Sequence, residues 1–310
     1  MKKILTIGNP VYDVIMTPVL TRGERVLSGC STNACLAVAK LGEQGILIGT
    51  VGSDYIQSLA QDLDQRGIQH KLILAGQTGG FSLVYDHAGN RELTVLGVAD
   101  PIATSVNGFG DVDFVLFGPI LGEIDIALAQ QVKSEVSAPI LLDPQGLLRG
   151  IKDGEIYHEM NDTFRAIAAI STVVKANELE ARVVTGIDPR VDPEGAVRAL
   201  HAFGCKIAIV TLAEAGSIIF DGKNIFEIPP YAVNAIDPTG AGDTYAAGFM
   251  VKYLETPDDL TGVGCFASSV SSIMVENSGP DFPLTRAEVE RRQQTLLNGP
   301  LKIKLETLDD

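Results

Sequence analysis

Apolar runs of strand length alternate along the chain with amphipathic segments of helical period. KILTIG, near the N-terminus, reads as a buried strand, and TNACLAVAKLG follows as a helix that starts near Ser31 and Thr32 and stops at Gly42. GILIGTVG reads as the next strand and YIQSLAQDLDQRG as a helix ending at Gly67. VDFVLFG, PILLD, STVVKA and KIAIVTL are further buried strands, separated by helical patterns such as IDIALAQQVKSEV and PEGAVRALHAFG. This alternation predicts an α/β fold, a mostly parallel central sheet with helices on both faces.

One stretch departs from it. GFSLVYDHAGNRELTVLG alternates with period two on both sides of a turn at Asp86–Asn90, which predicts an antiparallel hairpin. With the extended segment VIMTPVLTRGERVLSG it forms a small β flap, either an edge extension or a lid over a ligand. No repeat, low-complexity tract or Pro/Gly-rich linker divides the chain. Residues 1–310 therefore read as one domain carrying a small β lid from about 12–28 and 80–98. The flap edges offer a surface for strand pairing between two copies, a homodimer.

Charge narrows the function. The formal net charge of −15 sets the surface against phosphate backbones, which argues against nucleic acid as a partner. No stretch has the roughly 18 apolar residues of a membrane span. The opening MKKILTIGNP is broken at Gly8-Asn9-Pro10 and reads as a strand rather than a signal peptide. Cys30, Cys35, Cys205 and Cys265 form no CxxC pair and read as small core residues, so a reducing cytoplasm is expected.

Several motifs fail on context. GVGCFA (Gly262–Ala267) matches a dinucleotide pattern but follows TPDDLT instead of a strand, which removes the dehydrogenase reading. The chain contains no GxxxxGK[ST]. His70, His87, His158 and His201 lack metal spacing and none lies near a GxSxG.

The stretch IDPTGAGDTYAAGF succeeds. Tyr245, Ala246, Phe249, Met250, Tyr253 and Leu254 recur at helical spacing, so a helix begins near Gly242 or Asp243. The N–H groups of Ala241, Gly242 and Asp243 then lie at its open, positive end, a place suited to phosphate. Gly240 and Gly242 let a ligand approach the backbone. Asp243 is either an N-cap or a general base taking a proton from an attacking hydroxyl.

DPTGAGDTYAAGF resembles the C-terminal signature of the ribokinase-like (PfkB) carbohydrate kinases. Gly8 to Asp13, SGCSTNACLAVAKLG, GTVGSD, KANELE, VTLAEAG and VENSGPDFPLT agree with that family in order and spacing along nearly the whole chain. The resemblance implies a ribokinase-like three-layer sandwich, ATP as donor and Mg²⁺ as cofactor. It implies that Asp243 is the base, with Gly240, Ala241 and Gly242 as the anion hole. Asp13, Gly29 and Asn33 match positions that hold substrate hydroxyls. Asn177 and Glu180 match the NxxE that organises Mg²⁺ and its waters, although on its own Glu180 reads as a solvated helix residue, as does Glu178. Asn177, Thr211, Gly216 and Asn277 match nucleotide-binding positions. Asp237 and Thr239 match a loop for a monovalent cation, K⁺ in many members.

Three positions depart from the family pattern. Ser28-Gly29 stands where paired glycines are usual, Ala213 where the nucleotide segment has Gly, and VENSGPDFP differs in the later part of the cation loop. DPQGLLRG and GVADP resemble inositol kinases, which makes Asp100 and Gln145 hydroxyl contacts or turn residues. The expected reaction moves the ATP γ-phosphate to a hydroxyl of a sugar or polyol, myo-inositol or similar. A ribokinase-type sugar kinase is one alternative. A nucleoside kinase, with Tyr12, Phe81 and Tyr85 as a platform for a base, is another. A noncatalytic sugar-binding regulator would have lost the base or the anion hole.

Overall fold

The computed structural model of the chain describes residues 1–21, 24–86 and 91–305. Among these, ten strands form one sheet in the order Lys302–Leu305, Asn224–Ile228, Ser217–Phe220, Ile207–Thr211, Val173–Ala176, Ile140–Leu142, Phe114–Phe117, Lys3–Ile7, Gln44–Gly52 and Gln69–Ala75. The strands from Gln69–Ala75 to Ile207–Thr211 pair in parallel, as the alternation predicts. The last three pair antiparallel at the other edge and were not foreseen. Their apolar runs are too short for periodicity to tell them from helix or loop.

Successive residues of each strand point to opposite faces, and both faces are covered. Leu5, Ile7, Val115 and Phe117 point to the side covered by helices Ile126–Glu135, Asp162–Ile170, Glu178–Thr185 and Pro193–His201. Ile4, Phe114, Leu116 and Val173 point to the other, under helices Cys30–Lys40, Ala241–Tyr253, Leu260–Val275 and Arg286–Leu297. Helix Ile56–Gln65 packs through Leu59 and Leu63 onto Leu36 and Leu47. No helix among the described residues is long and apolar enough to cross a membrane.

A smaller sheet sits against the large one. Val11–Thr17 pairs antiparallel with Leu20–Thr21 and Val26–Ser28, and in parallel with Gly80–Tyr85, which pairs antiparallel with Arg91–Gly97. The last two strands are the expected hairpin, while residues 87–90 of its turn lie outside the described residues, as does His87. Alternation along Gly80–Tyr85 turns Phe81, Leu83 and Tyr85 inward onto Cys30 and Ile120. A second hairpin, Arg149–Lys152 with Glu155–His158, follows the DPQG turn.

Candidate active site

Two helices begin at the same place. Helix Cys30–Lys40 starts after Gly29, whose φ is 110°, and helix Ala241–Tyr253 starts after Gly240, whose φ is 81°. Both glycines occupy backbone conformations that an L side chain rarely adopts. The second helix therefore begins at Ala241, slightly earlier than its periodicity suggests. Its open end presents the N–H groups of Gly242 and Asp243, and two positive dipole ends converge on one spot.

Asp243 is not the cap of its helix; Gly240 takes that position and no side chain caps it. The carboxylate is buried, and its Oδ2 accepts from Asn33 Nδ2 at 2.9 Å. A Cβ on Gly240 would come within 3.1 Å of that same Asn33 nitrogen. Burial first, and then the charge of Asp143, raise the Asp243 pKa above the usual carboxylate value, while Asn33 pulls against them.

Behind the helix start lies a buried ion pair, Lys175 Nζ to Asp143 Oδ2 at 2.8 Å. A Cβ on Gly242 would fall 3.2 Å from that ammonium, so the cation abuts the backbone at the start of the helix. Burial alone would lower the Lys175 pKa, but Asp143 and Glu180 hold it above its ordinary value. Atoms of Cys30, Asp143 and Asp243 lie within 4.8 Å of one another. Burial and the two acids push the Cys30 thiol up, so it stays a neutral SH.

Asn177 caps helix Glu178–Thr185 in a reciprocal box. Its side chain accepts from Glu180 N at 2.9 Å, and Glu180 Oε2 accepts from Asn177 N at 2.8 Å. Asn177 Nδ2 also donates to Glu180 Oε1 at 2.7 Å. Glu180 is buried rather than solvated, and burial followed by the charge of Asp143 pushes its pKa up to about 7. Glu178 stays at the helix surface and pairs with Arg190.

The smaller sheet reaches both sides of this centre. Asp13 is buried and its Oδ1 accepts from Phe81 N at 2.7 Å. The Tyr85 hydroxyl lies 3.0 Å from Thr239 Oγ1, in a buried hydrogen bond. Asp237 is fully buried; its Oδ1 accepts from Thr239 N at 2.9 Å and its Oδ2 from Ser278 Oγ at 2.6 Å. Asn277 donates to Ile273 O at 2.8 Å, within the turn that follows helix Leu260–Val275.

Gln145 Oε1 accepts from Arg149 Nη2 at 2.7 Å, and Arg149 lies over the Phe81 ring at 5.6 Å. Asp100 is exposed and accepts from Gly76 N at 3.0 Å, a bond between two segments remote along the chain. The aromatic rings named for a base platform are committed to packing or bonding: Tyr12 stacks on Tyr55 at 3.7 Å, Phe81 lies beneath Arg149, and Tyr85 holds Thr239. On the other side, Thr211 ends strand Ile207–Thr211, followed by a single turn Ala213–Ala215. Gly216 has φ 91°, and a Cβ there would meet Ile228 O at 2.1 Å. Ala213 keeps a left-handed φ of 46°, the conformation a glycine would adopt without strain.

The pfkB family carbohydrate kinase profile matches residues 1–287. The chain belongs to that family. It is similar to a cytidine kinase of Thermococcus kodakarensis, 29% identical over 268 residues, covering 82% of this chain and 89% of that protein. It is 27% identical over 311 residues to a ribokinase of Bacillus subtilis, covering 94% of this chain and 99% of the other. A pyrophosphate-dependent kinase of the ribokinase family, solved with a pyrophosphate analog and myo-inositol, superposes with a TM-score of 0.79 at 23% identity. That superposition covers 93% of this chain and 99% of the other and shows a shared ribokinase-like fold. The protein is a phosphotransferase of the sugar and nucleoside kinase class, with a small-molecule acceptor.

Sequence reasoning passed over Asp143, Lys175 and Arg149 and placed Cys30 only in the core. A signal was available for two of them. Asp143 directly follows strand Ile140–Leu142 and Lys175 is the penultimate residue of Val173–Ala176, and ligands of open α/β sheets gather at the carboxyl ends of strands.

Proposed function

We propose that this PfkB kinase transfers the γ-phosphoryl group of ATP to a hydroxyl of a small polyol, myo-inositol or a close relative. The observation that carries the reading is the buried Asp243 carboxylate in the first turn of a helix whose open end suits phosphate, held by Asn33. Asp243 takes the proton of the attacking hydroxyl, and the N–H groups of Gly242 and Asp243 stabilise charge on the phosphoryl oxygens, the Ala241 N–H being bonded to Pro238 O. Gly29, Asn33 and Asp13 hold the acceptor, with Gln145 and Asp100 shaping its far side. Asn177, Thr211, Gly216 and Asn277 hold the nucleotide. The smaller sheet acts as a lid that excludes water, the competing acceptor.

Glu180 is buried near the charge of Asp143, which raises its pKa, and hard oxygen donors of this kind fit Mg²⁺. Glu180 would hold the ion through water, with Asn177 orienting the carboxylate; bound Mg²⁺ supplies charge neutralisation at the phosphates. Asp237 and Thr239 are the residues proposed for a monovalent cation such as K⁺.

The packing of Tyr12 and Phe81 favours a polyol over a nucleoside, because neither ring offers an open face for stacking. The cytidine kinase relative supports the nucleoside as the second reading. The deciding experiment incubates the protein with Mg-ATP and, separately, with pyrophosphate, against myo-inositol, ribose, fructose, other hexoses, adenosine, cytidine and fructose phosphates. Product formation on myo-inositol is expected. Turnover confined to cytidine or adenosine would replace the polyol, and pyrophosphate as the productive donor would replace ATP.

A further inference from the structure

Strand Gly80–Tyr85 contacts both halves of the proposed reaction centre. At one end its Phe81 N–H donates to Asp13, and at the other its Tyr85 hydroxyl bonds Thr239, the residue before Gly240. The Tyr85 and Thr239 side chains are both buried, so the bond is shielded from water and a missing partner would leave a hydroxyl unsatisfied. Thr239 is in turn fixed through its N–H to Asp237, and Asp237 to Ser278. A path of hydrogen bonds and backbone therefore runs from Asp13, along the interior strand Gly80–Tyr85 of the smaller sheet, into the loop before Gly240. The Tyr85 ring packs in the cluster of Val11, Ile15, Cys30 and Phe81, so removing only the oxygen leaves the packing intact.

We propose that Tyr85 is a positioning residue that couples closure of the smaller sheet to the geometry of the anion hole through Thr239. This deepens the kinase reading and rests on it. The sheet can close without the bond, but the loop from Thr239 to Gly242 is then held from one side only. Conversely, a phosphate group seated on that loop fixes Thr239 and, through it, strand Gly80–Tyr85 of the lid.

The test uses Tyr85→Phe, Thr239→Val and the double variant, with Mg-AMP-PNP as the probe of the anion site. In the wild-type protein, adding the probe slows amide hydrogen exchange along residues 80–85. Either substitution removes about tenfold of that protection, as expected for a buried hydrogen bond, and the double variant loses no more than either single one. With the acceptor identified by the panel, Tyr85→Phe lowers kcat about tenfold and leaves the acceptor KM nearly unchanged. A purely structural bond would instead speed exchange at amides throughout the chain. Wild-type protection in Tyr85→Phe, or losses that multiply in the double variant, would overturn the coupling. Absence of transfer by the wild-type protein to every acceptor would defeat the kinase reading, while the exchange data would still decide the coupling.

Discussion

Asn33, in the first turn of one helix, donates its side-chain amide across 2.9 Å to Asp243, in the first turn of another. The pair holds Oδ2 of the acid, and the Cys30 thiol also bonds the carboxylate. Replacing Asp243 by Asn keeps the shape of the site and removes the base. Turnover is expected to fall by roughly 10²–10⁴-fold, with nucleotide affinity retained. Calorimetric binding and product assays on the same preparation check this, and unchanged kcat would remove Asp243 from the chemistry.

The pH profile reports the surroundings of that acid. Asp243 must be ionised to act as a base, so activity is lost as pH falls through its pKa, which burial and then Asp143 raise. Asp143→Asn removes a raising charge and moves the acid limb of kcat to lower pH. Asn33→Leu removes a lowering hydrogen bond and moves it to higher pH. Shifts of the same sign in both variants would contradict this arrangement of charges.

Glu180 makes stability depend on pH. Its folded pKa of about 7 lies above the ordinary glutamate value of 4.5, so the folded state keeps a proton that the unfolded state releases between those values. Its contribution is fully present below the lower value and is lost as pH rises through the higher. Urea midpoints of the wild type and Glu180→Gln, compared at pH 5 and pH 8, should show a larger fall for the wild type. Parallel falls would mean that Glu180 does not titrate in this window.

Ala213 holds a left-handed φ of 46°. Glycine relieves the Cβ strain of this conformation but adds freedom to the unfolded chain, and the strain is the larger effect. Ala213→Gly is expected to stabilise the protein by about 0.5–1 kcal/mol, read as a higher urea midpoint at constant slope.

How far the sequence reaches depends on the distance over which each feature is defined. The buried strands and the helix that starts after Gly240 follow from periods of a few residues and a local glycine. Asp243 could be named from its neighbours alone. Lys175 is signalled only by its place near the carboxyl end of the strand in STVVKA, and its partner is not: only folding brings it to Asp143, which follows a different strand. The same holds for Tyr85, which reads as an inward aromatic of a hairpin until Thr239 is placed against its hydroxyl. Short antiparallel strands such as Ser217–Phe220 carry no pattern that separates them from other short apolar runs.

The smaller sheet joins segments that are remote along the chain: Val14 pairs with Ser82 in parallel, and between them run two helices and two strands of the large sheet. Its hairpins are local, but this parallel junction between them has no local nucleus. Closing long loops is entropically costly until the non-local contacts form, so this pairing is slow to arise. Recovery of phosphoryl transfer after dilution from denaturant thus marks the final assembly of the molecule, and should lag behind recovery of helical signal.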